Sequence, residues 1–445
     1  MKKSKMSTRN MSSIRIMRKD TYEDYLGPFQ MLVPTRHLTP ISTKSKSPTS
    51  VQKFYRMPVV RQKVSEGLKY SENDQSDFSI SNLSEPTELY WHKIEINSWK
   101  PETRQFSTLT YSSGHIYLIG GISKSIHSQV STYHPTTKKW SKPENRGNLP
   151  RFGHSSVEYN RKIVVFGGGT EYSESSKVRM CISGLYEYAG GTSSWEPLEN
   201  KGIHIVSRKF HAACILGKFL YVHGGMNNKN KLLEDSAIYD FNKTGWSCPA
   251  FLGPEPGFRA YHTAQAIVNP DQVLRDSLKL NGTRYLNVRI PGIYLFGGIK
   301  ENGVICNELH ILELSGENPQ WVVPVTSGSA PVPRINHTMI FLSALSVLFI
   351  FGGKSTPESG QEVFLNDVHL LRVDTLHWNA VKVFGEEPCP RSGHSMEAVG
   401  NRVYIFGGIS KTGYCSSSFY ALELNPRTVH SYIHDEKMNL RFILP

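Results

Sequence analysis

VYIFGG, from Val403 to Gly408, is a short apolar run that stops at two glycines, and it is the last of six such runs. The others are IYLIGG (Gly120-Gly121), IVVFGG (Gly167-Gly168), LYVHGG (Gly224-Gly225), IYLFGG (Gly297-Gly298) and LFIFGG (Gly352-Gly353). Successive pairs lie 47, 57, 73, 55 and 55 residues apart. A strand-length run of β-branched and aromatic residues closed by glycine reads as a strand leaving a crowded site. Recurrence at these spacings marks an internal repeat, in which each unit is one supersecondary element.

Two further markers keep step with the glycines. Trp140, Trp195, Trp246, Trp321 and Trp378 follow the second glycine of their units by 19 to 27 residues. Ahead of each pair stands R-x-x-H: Arg151/His154, Arg208/His211, Arg259/His262, Arg334/His337 and Arg391/His394, with Arg104 and Ser107 in the first unit. Runs such as HSMEAVG, RVYIF and DVHLLRV alternate with Gly, Pro, Asn and Ser clusters, so each unit reads as four short antiparallel strands.

With three markers in phase, residues 86–435 resemble the kelch-repeat family, whose units are blades of a β-propeller. The resemblance implies an all-β, six-bladed propeller. A lone four-stranded blade cannot bury both faces, whereas a ring of blades can. The ring must also close, or two edge strands stay exposed. Trp91, in ELYWHKIEI, lies 29 residues before Gly120, as Trp195 and Trp378 lie before Gly224 and Gly407. It is therefore expected to supply the outer strand of the sixth blade; Tyr432 is the competing closure. The glycines and tryptophans of the repeat, Trp91 included, are expected to be structural.

The remaining chain reads differently. Residues 1–85 are rich in Ser, Thr, Lys and Pro, with no sustained periodicity, and are expected to be a mostly disordered tail. Residues 436–445 form a short C-terminal tail. Of the chain's net charge of +13, residues 1–70 carry +11, from 15 Lys+Arg against 4 Asp+Glu. The basic balance thus belongs to the tail, which suits an anionic surface such as the cytoskeleton, and it supports no nucleic-acid role for the propeller. Tyr22 to Val33 is the one apolar stretch there, and Thr39-Pro40 and Ser47-Pro48 are proline-directed phosphorylation patterns. Unit four carries an insertion, Asn269 to Ile290, expected on the face opposite the glycine pairs; its Asn281-Gly-Thr283 fits a glycosylation sequon.

Six scattered cysteines make neither a disulfide framework nor a zinc site. No apolar run reaches ~18 residues, so no membrane span is expected. The basic N-terminus is not followed by an apolar core, and a cytoplasmic location is expected over secretion or mitochondrial import.

A ring of five histidines invites a metal or catalytic reading, but catalysis needs different residues converging on one point. Residues repeated in every unit build the unit, with the imidazoles expected to bond neighbouring backbone; His310 and His369 read the same way. No paired carboxylates, nucleophile elbow or phosphate-binding P-loop stands out. Tyr414 and Cys415 are neighbours in sequence, which is no evidence for the Tyr–Cys crosslink of copper-radical oxidases. No cofactor is expected.

The expected function is a non-enzymatic binding scaffold whose loop-rich face holds another protein. Its candidate contacts are the bases of the glycine-pair loops: Lys124, Lys177, Arg179, Lys229, Lys231, Lys300, Lys354 and Lys411. With the R-x-x-H arginines near the same face, these favour an acidic partner segment. The alternatives are a substrate-recognition subunit of a ubiquitin ligase, without the usual BTB or F-box module, and a propeller enzyme (oxidase or sugar-processing).

Overall fold

The computed structural model describes residues 89–147, 149–173, 178–267, 289–314, 318–357, 360–415 and 418–424. The tail motifs, the glycosylation sequon, Lys177 and Tyr432 lie outside the described residues.

Six antiparallel sheets make the fold, each counted here from its innermost strand outward. Blade 1 is Gln105–Ser112, His115–Ile122, Ser131–His134 and Lys139–Ser141. Blade 2 is Ser155–Tyr159, Lys162–Phe166, Leu185–Ala189 and Ser194–Pro197, and blade 3 is Ala212–Leu216, Phe219–His223, Ser236–Asp240 and Gly245–Ser247. Blade 4 is Thr263–Ile267, Gly292–Phe296, Leu309–Glu313 and Gln320–Val322. Blade 5 is Thr338–Leu342, Val347–Ser355, Val363–Arg372 and His377–Val381. Blade 6 is Ser395–Val399, Arg402–Phe406, Phe419–Glu423 and Leu89–Ile94. Innermost strands neighbour one another all the way round, blade 6 meeting blade 1. The molecule is a six-bladed β-propeller.

Closure runs through Trp91. Its strand pairs antiparallel with Phe419–Glu423, with Trp91 opposite Leu422 and Ile94 opposite Phe419. The first strand among the described residues thus completes the last blade.

The tryptophans form the outer core between blades. Each packs on the residue just before the glycine pair of the preceding blade. Trp91 meets Phe351 at 5.3 Å, Trp378 meets Phe296 at 5.3 Å, Trp246 meets Phe166 at 4.9 Å and Trp140 meets Phe406 at 5.8 Å. Trp321 meets His223 at 6.1 Å, and Trp195 shares a cluster with Ile119. Aromatic area of this size dominates core energetics, so the Trp–Phe spacing sets how blades stack.

A second glycine series was not read from the sequence. The linkers entering blades 3, 5 and 6 add a short parallel strand outside the blade: Lys201–Gly202, Ser327–Gly328 and Val383–Gly385. Gly202, Gly328 and Gly385 lie over the outer tryptophan at φ of +84°, +78° and +89°. A Cβ on Gly328 would stand 2.1 Å from the Trp378 carbonyl oxygen, so no side chain fits. Being single glycines in loops of unequal length, they gave no pattern.

The insertion of blade 4 leaves from the end opposite the glycine pairs, as expected. Its flanking strands pair Ile267 with Gly292 at that end and Thr263 with Phe296 at the glycine end.

Candidate functional site

The R-x-x-H segments and glycine pairs converge on one end of the propeller, where three concentric rings of hydrogen bonds form. In the first, each arginine donates Nη1 to the carbonyl of its own blade's first glycine, from Arg391 to Gly407 at 2.9 Å up to Arg104 to Gly120 at 3.2 Å. In the second, the N–H of each second glycine donates to the arginine carbonyl of the next blade, at 2.8–2.9 Å all round, Gly408 closing onto Arg104. The glycine pair is therefore clamped between two successive R-x-x-H segments.

The third ring uses the residue immediately before the histidine, or before Ser107 in blade 1. Phe106, Gly153, Phe210, Tyr261, Asn336 and Gly393 all sit at positive φ, between +54° and +67°. Each N–H donates to the carbonyl of its predecessor at 2.7–3.1 Å, and Phe106 closes the circle onto Gly393 at 2.8 Å. Phe210 covers Gly153, and Phe106 covers Gly393, where an added Cβ would come within 2.6 and 2.9 Å of the rings. The sequence hid this ring, because its members share a conformation but no residue type.

The histidines stitch blades from within. Each Nε2 pairs with a first-strand hydroxyl of the preceding blade: His154 with Thr108 (3.0 Å), His211 with Ser155 (2.9 Å), His337 with Thr263 (2.9 Å) and His394 with Thr338 (2.7 Å). Blade 3 has Ala212 in the hydroxyl slot, and His223, directly paired with it across the sheet, offers Nδ1 to His262 at 3.1 Å instead. Ser107, in the histidine slot of blade 1, meets Ser395 at 2.7 Å. The partners are thus side chains rather than the neighbouring backbone that the sequence suggested. Burial is the main cause that drives all five imidazoles down, with adjacent arginines adding to it, and His211 and His337 fall to about 3. They are neutral at physiological pH. Together they border a central cavity of about 150 Å³, rimmed by Phe106, Phe210, Tyr261 and Asn336.

The arginines correct the expectation that they recognise a partner. Arg151, Arg208, Arg259, Arg334 and Arg391 are fully buried. Blades 3, 4 and 5 neutralise them with a carboxylate in or just before the third strand: Arg208–Asp235, Arg259–Glu308 and Arg334–Asp367, each at 2.7 Å. Glu308 holds a charge against its own desolvation because Lys300 and Arg259 donate to it, and falls to about 2. His310 and His369 lean on the same acids, Glu308 at 3.4 Å and Asp367 at 3.0 Å. Blades 2 and 6 set a tyrosine face under the guanidinium, Tyr186 at 5.1 Å and Tyr420 at 5.2 Å. In Arg104 and Arg151 burial outweighs local attraction and brings both down to about 10, still charged at neutral pH.

The loop bases separate into two groups. Lys354 is only 2% exposed and is ion-paired with Glu362, and half-buried Lys300 is held by Glu308 at 2.5 Å, so neither presents an open cation. Lys124, Lys229, Lys231 and Lys411 are exposed. Lys229 and Lys231 project from a turn in which both N–H groups donate to Asn227 Oδ1, at 2.9 and 3.1 Å. The adjacent Asn228 accepts from the N–H of Cys181, in the blade-2 hairpin strand Val178–Cys181 that carries Arg179. Exposed Met180 lies on that strand.

This six-bladed chain belongs to the kelch-repeat family: the KLHDC2/KLHL20/DRC7 Kelch-repeats domain matches residues 64–273 and 288–438. Within it, the chain is 30% identical over 274 residues to host cell factor of Drosophila melanogaster, covering 58% of this chain and 16% of that protein. Human host cell factor 2 is 25% identical over 360 residues, 73% of this chain and 42% of that protein. The chain thus spans less than half the length of these curated relatives. The solved structure of YjhT shares the fold, with a TM-score of 0.54 at 16% identity over 72% of this chain and 95% of that one.

Proposed function

We propose that this chain is a non-enzymatic protein-binding scaffold and that its glycine-pair face receives an acidic segment of a partner. The supporting observation is the junction of blades 2 and 3. There the Asn228–Cys181 hydrogen bond ties the Lys229/Lys231 turn to the strand Val178–Cys181, which includes Arg179. Exposed Met180 adds apolar area on the same strand, and protein interfaces combine apolar anchors with a charged rim. Kinship with proteins named host cell factors supports an interaction role in the same general sense.

Charge reversal of Lys177, Arg179, Lys229 and Lys231 together tests the reading. Partners captured by proximity labelling should be lost while the melting temperature is unchanged; binding at full strength would refute this face. A cullin-type protein among those partners would favour the ligase-adaptor alternative. The cytoplasmic location and the anionic target of the tail are parts of the same proposal. Fractionation tests the first. Salt-sensitive binding of a residue 1–70 fusion to microtubules or anionic vesicles tests the second.

A further inference from the structure

Blade 6 breaks the repeat symmetry with sulfur. Its arginine has no carboxylate at the head of the third strand. Instead Arg391 donates Nη2 to the Cys389 sulfur at 3.3 Å and Nε to the Cys389 carbonyl at 3.0 Å. The Cys389 sulfur stands 3.5 Å from that of Cys415. Cys415 is buried and fixed: its N–H donates to Gly408 at 3.0 Å, and its carbonyl accepts from the Thr103 hydroxyl. Cys389 is exposed.

Both positions recur in the repeat, but nowhere else do both hold cysteine. Cys389 stands two residues before the arginine, where blade 3 has Val206 and blade 4 has Gly257. Cys415 is the residue whose N–H returns to the second glycine, as Leu233 and Cys306 do in blades 3 and 4. An exposed cysteine whose sulfur touches a buried cation thus faces a buried cysteine.

We propose that Cys389 and Cys415 form a peroxide-responsive thiol pair, Cys389 being the oxidised residue and Cys415 the resolving one. The Cys389 thiolate attacks a hydroperoxide: an S–O bond forms, the O–O bond breaks, and the departing oxygen leaves as hydroxide or alkoxide and takes a proton. Cys415 then attacks the Cys389 sulfur: the S–S bond forms, the S–O bond breaks, and water leaves with the Cys415 proton. Two thiols lose two electrons and the peroxide gains them. The disulfide ties the hairpin of Ile409–Ser410 and Gly413–Tyr414, which carries Lys411, to the segment entering blade 6. Electrostatics agrees with the assignment. The bond with Cys415 and the Arg391 charge together outweigh desolvation and hold the Cys389 thiol down to about 6, while Cys415 is pushed up. Glu386 and Glu387, upstream in the same segment, accept from the Lys93 N–H and the Asn366 amide. This device stands whether or not the face binds an acidic segment.

The reduced full-length chain, treated with hydrogen peroxide, alkylated and mapped by peptide mass spectrometry, tests it. Loss of two thiols and a linked Cys389–Cys415 peptide are expected, with Cys415→Ser trapping Cys389 as a dimedone-reactive sulfenic acid. Exposed Cys248 is the internal control, its thiol raised by partial desolvation and by the nearby Asp235 charge. At pH 6 Cys389 should alkylate about ten-fold faster than Cys248, after allowing for the lower nucleophilicity of a low-pKa thiolate. Equal alkylation rates, or oxidation of Cys389 without the link to Cys415, would overturn the assignment. Both readings use the wild-type chain, so a misfolded Cys415→Ser variant leaves them intact.

Discussion

His154 Nε2 lies 3.0 Å from the hydroxyl of Thr108, one blade back, and that bond requires no charge on the ring. The five ring histidines are buried with their affinity for protons driven down, so the unfolded chain binds more protons than the fold below pH ~6.5. Their contribution is complete above that pH and drains as pH falls toward about 3, at about 1.4 kcal/mol per histidine per pH unit. Urea denaturation at pH 7 and pH 5 should show a marked loss. His337→Ser, which copies the Ser107–Ser395 arrangement of the closing junction, should lower stability at pH 7 yet flatten its pH dependence.

Asp367 accepts both Nη atoms of Arg334, at 2.8 and 2.7 Å. Asp367→Ala strands a buried guanidinium. The expected cost is about 3 kcal/mol, the low end for a broken buried pair, because Asp367 is itself one-third exposed. Guanidinium denaturation of the variant measures it, and a change within ~0.5 kcal/mol would show that water replaces the acid.

Gly407 has φ of +71°, and a Cβ there would stand 2.3 Å from the Arg104 carbonyl oxygen. Gly407→Val should therefore strain the blade 6–blade 1 junction and reduce soluble yield. Trp378→Ala, which empties the space against Phe296, should cost about 3–5 kcal/mol. Either variant retaining wild-type melting would remove these residues from the structural set.

Removing residues 86–96 takes away the outer strand of blade 6 and uncovers Phe351 and Leu422. The melting temperature should fall more than on removal of residues 428–445. The reverse ranking by differential scanning calorimetry would argue against Trp91 as the principal latch.

The fold was legible because its construction repeats. Gly-Gly, Trp and R-x-x-H each satisfy one ring or one inter-blade contact, and six copies in phase reveal what one could not. The sequence was less informative wherever geometry is shared by unlike residues. Phe106, Gly153 and Asn336 occupy one backbone conformation, and His223 repairs the missing hydroxyl at Ala212. The candidate face was harder still, because composition cannot tell an exposed lysine from one buried against an acid. Lys229 and Lys354 look alike in sequence; the eight-residue reach from Lys354 to Glu362 separates them.

Leu89–Ile94 leaves the ribosome before any other part of the blade that it completes. Until Phe419–Glu423 has been synthesised, the growing chain carries a hydrophobic strand with nowhere to pair and an arc of blades with two open edges. Ring closure thus waits for the last blade and carries a high loop entropy, and the interval before it is when chaperones would be needed. A circular permutant starting at Ser395, with the old termini joined, would make blade 6 contiguous in sequence. Its outer strand would then meet its partner as soon as it is made, and the late step would pass to the Arg391–His394 segment.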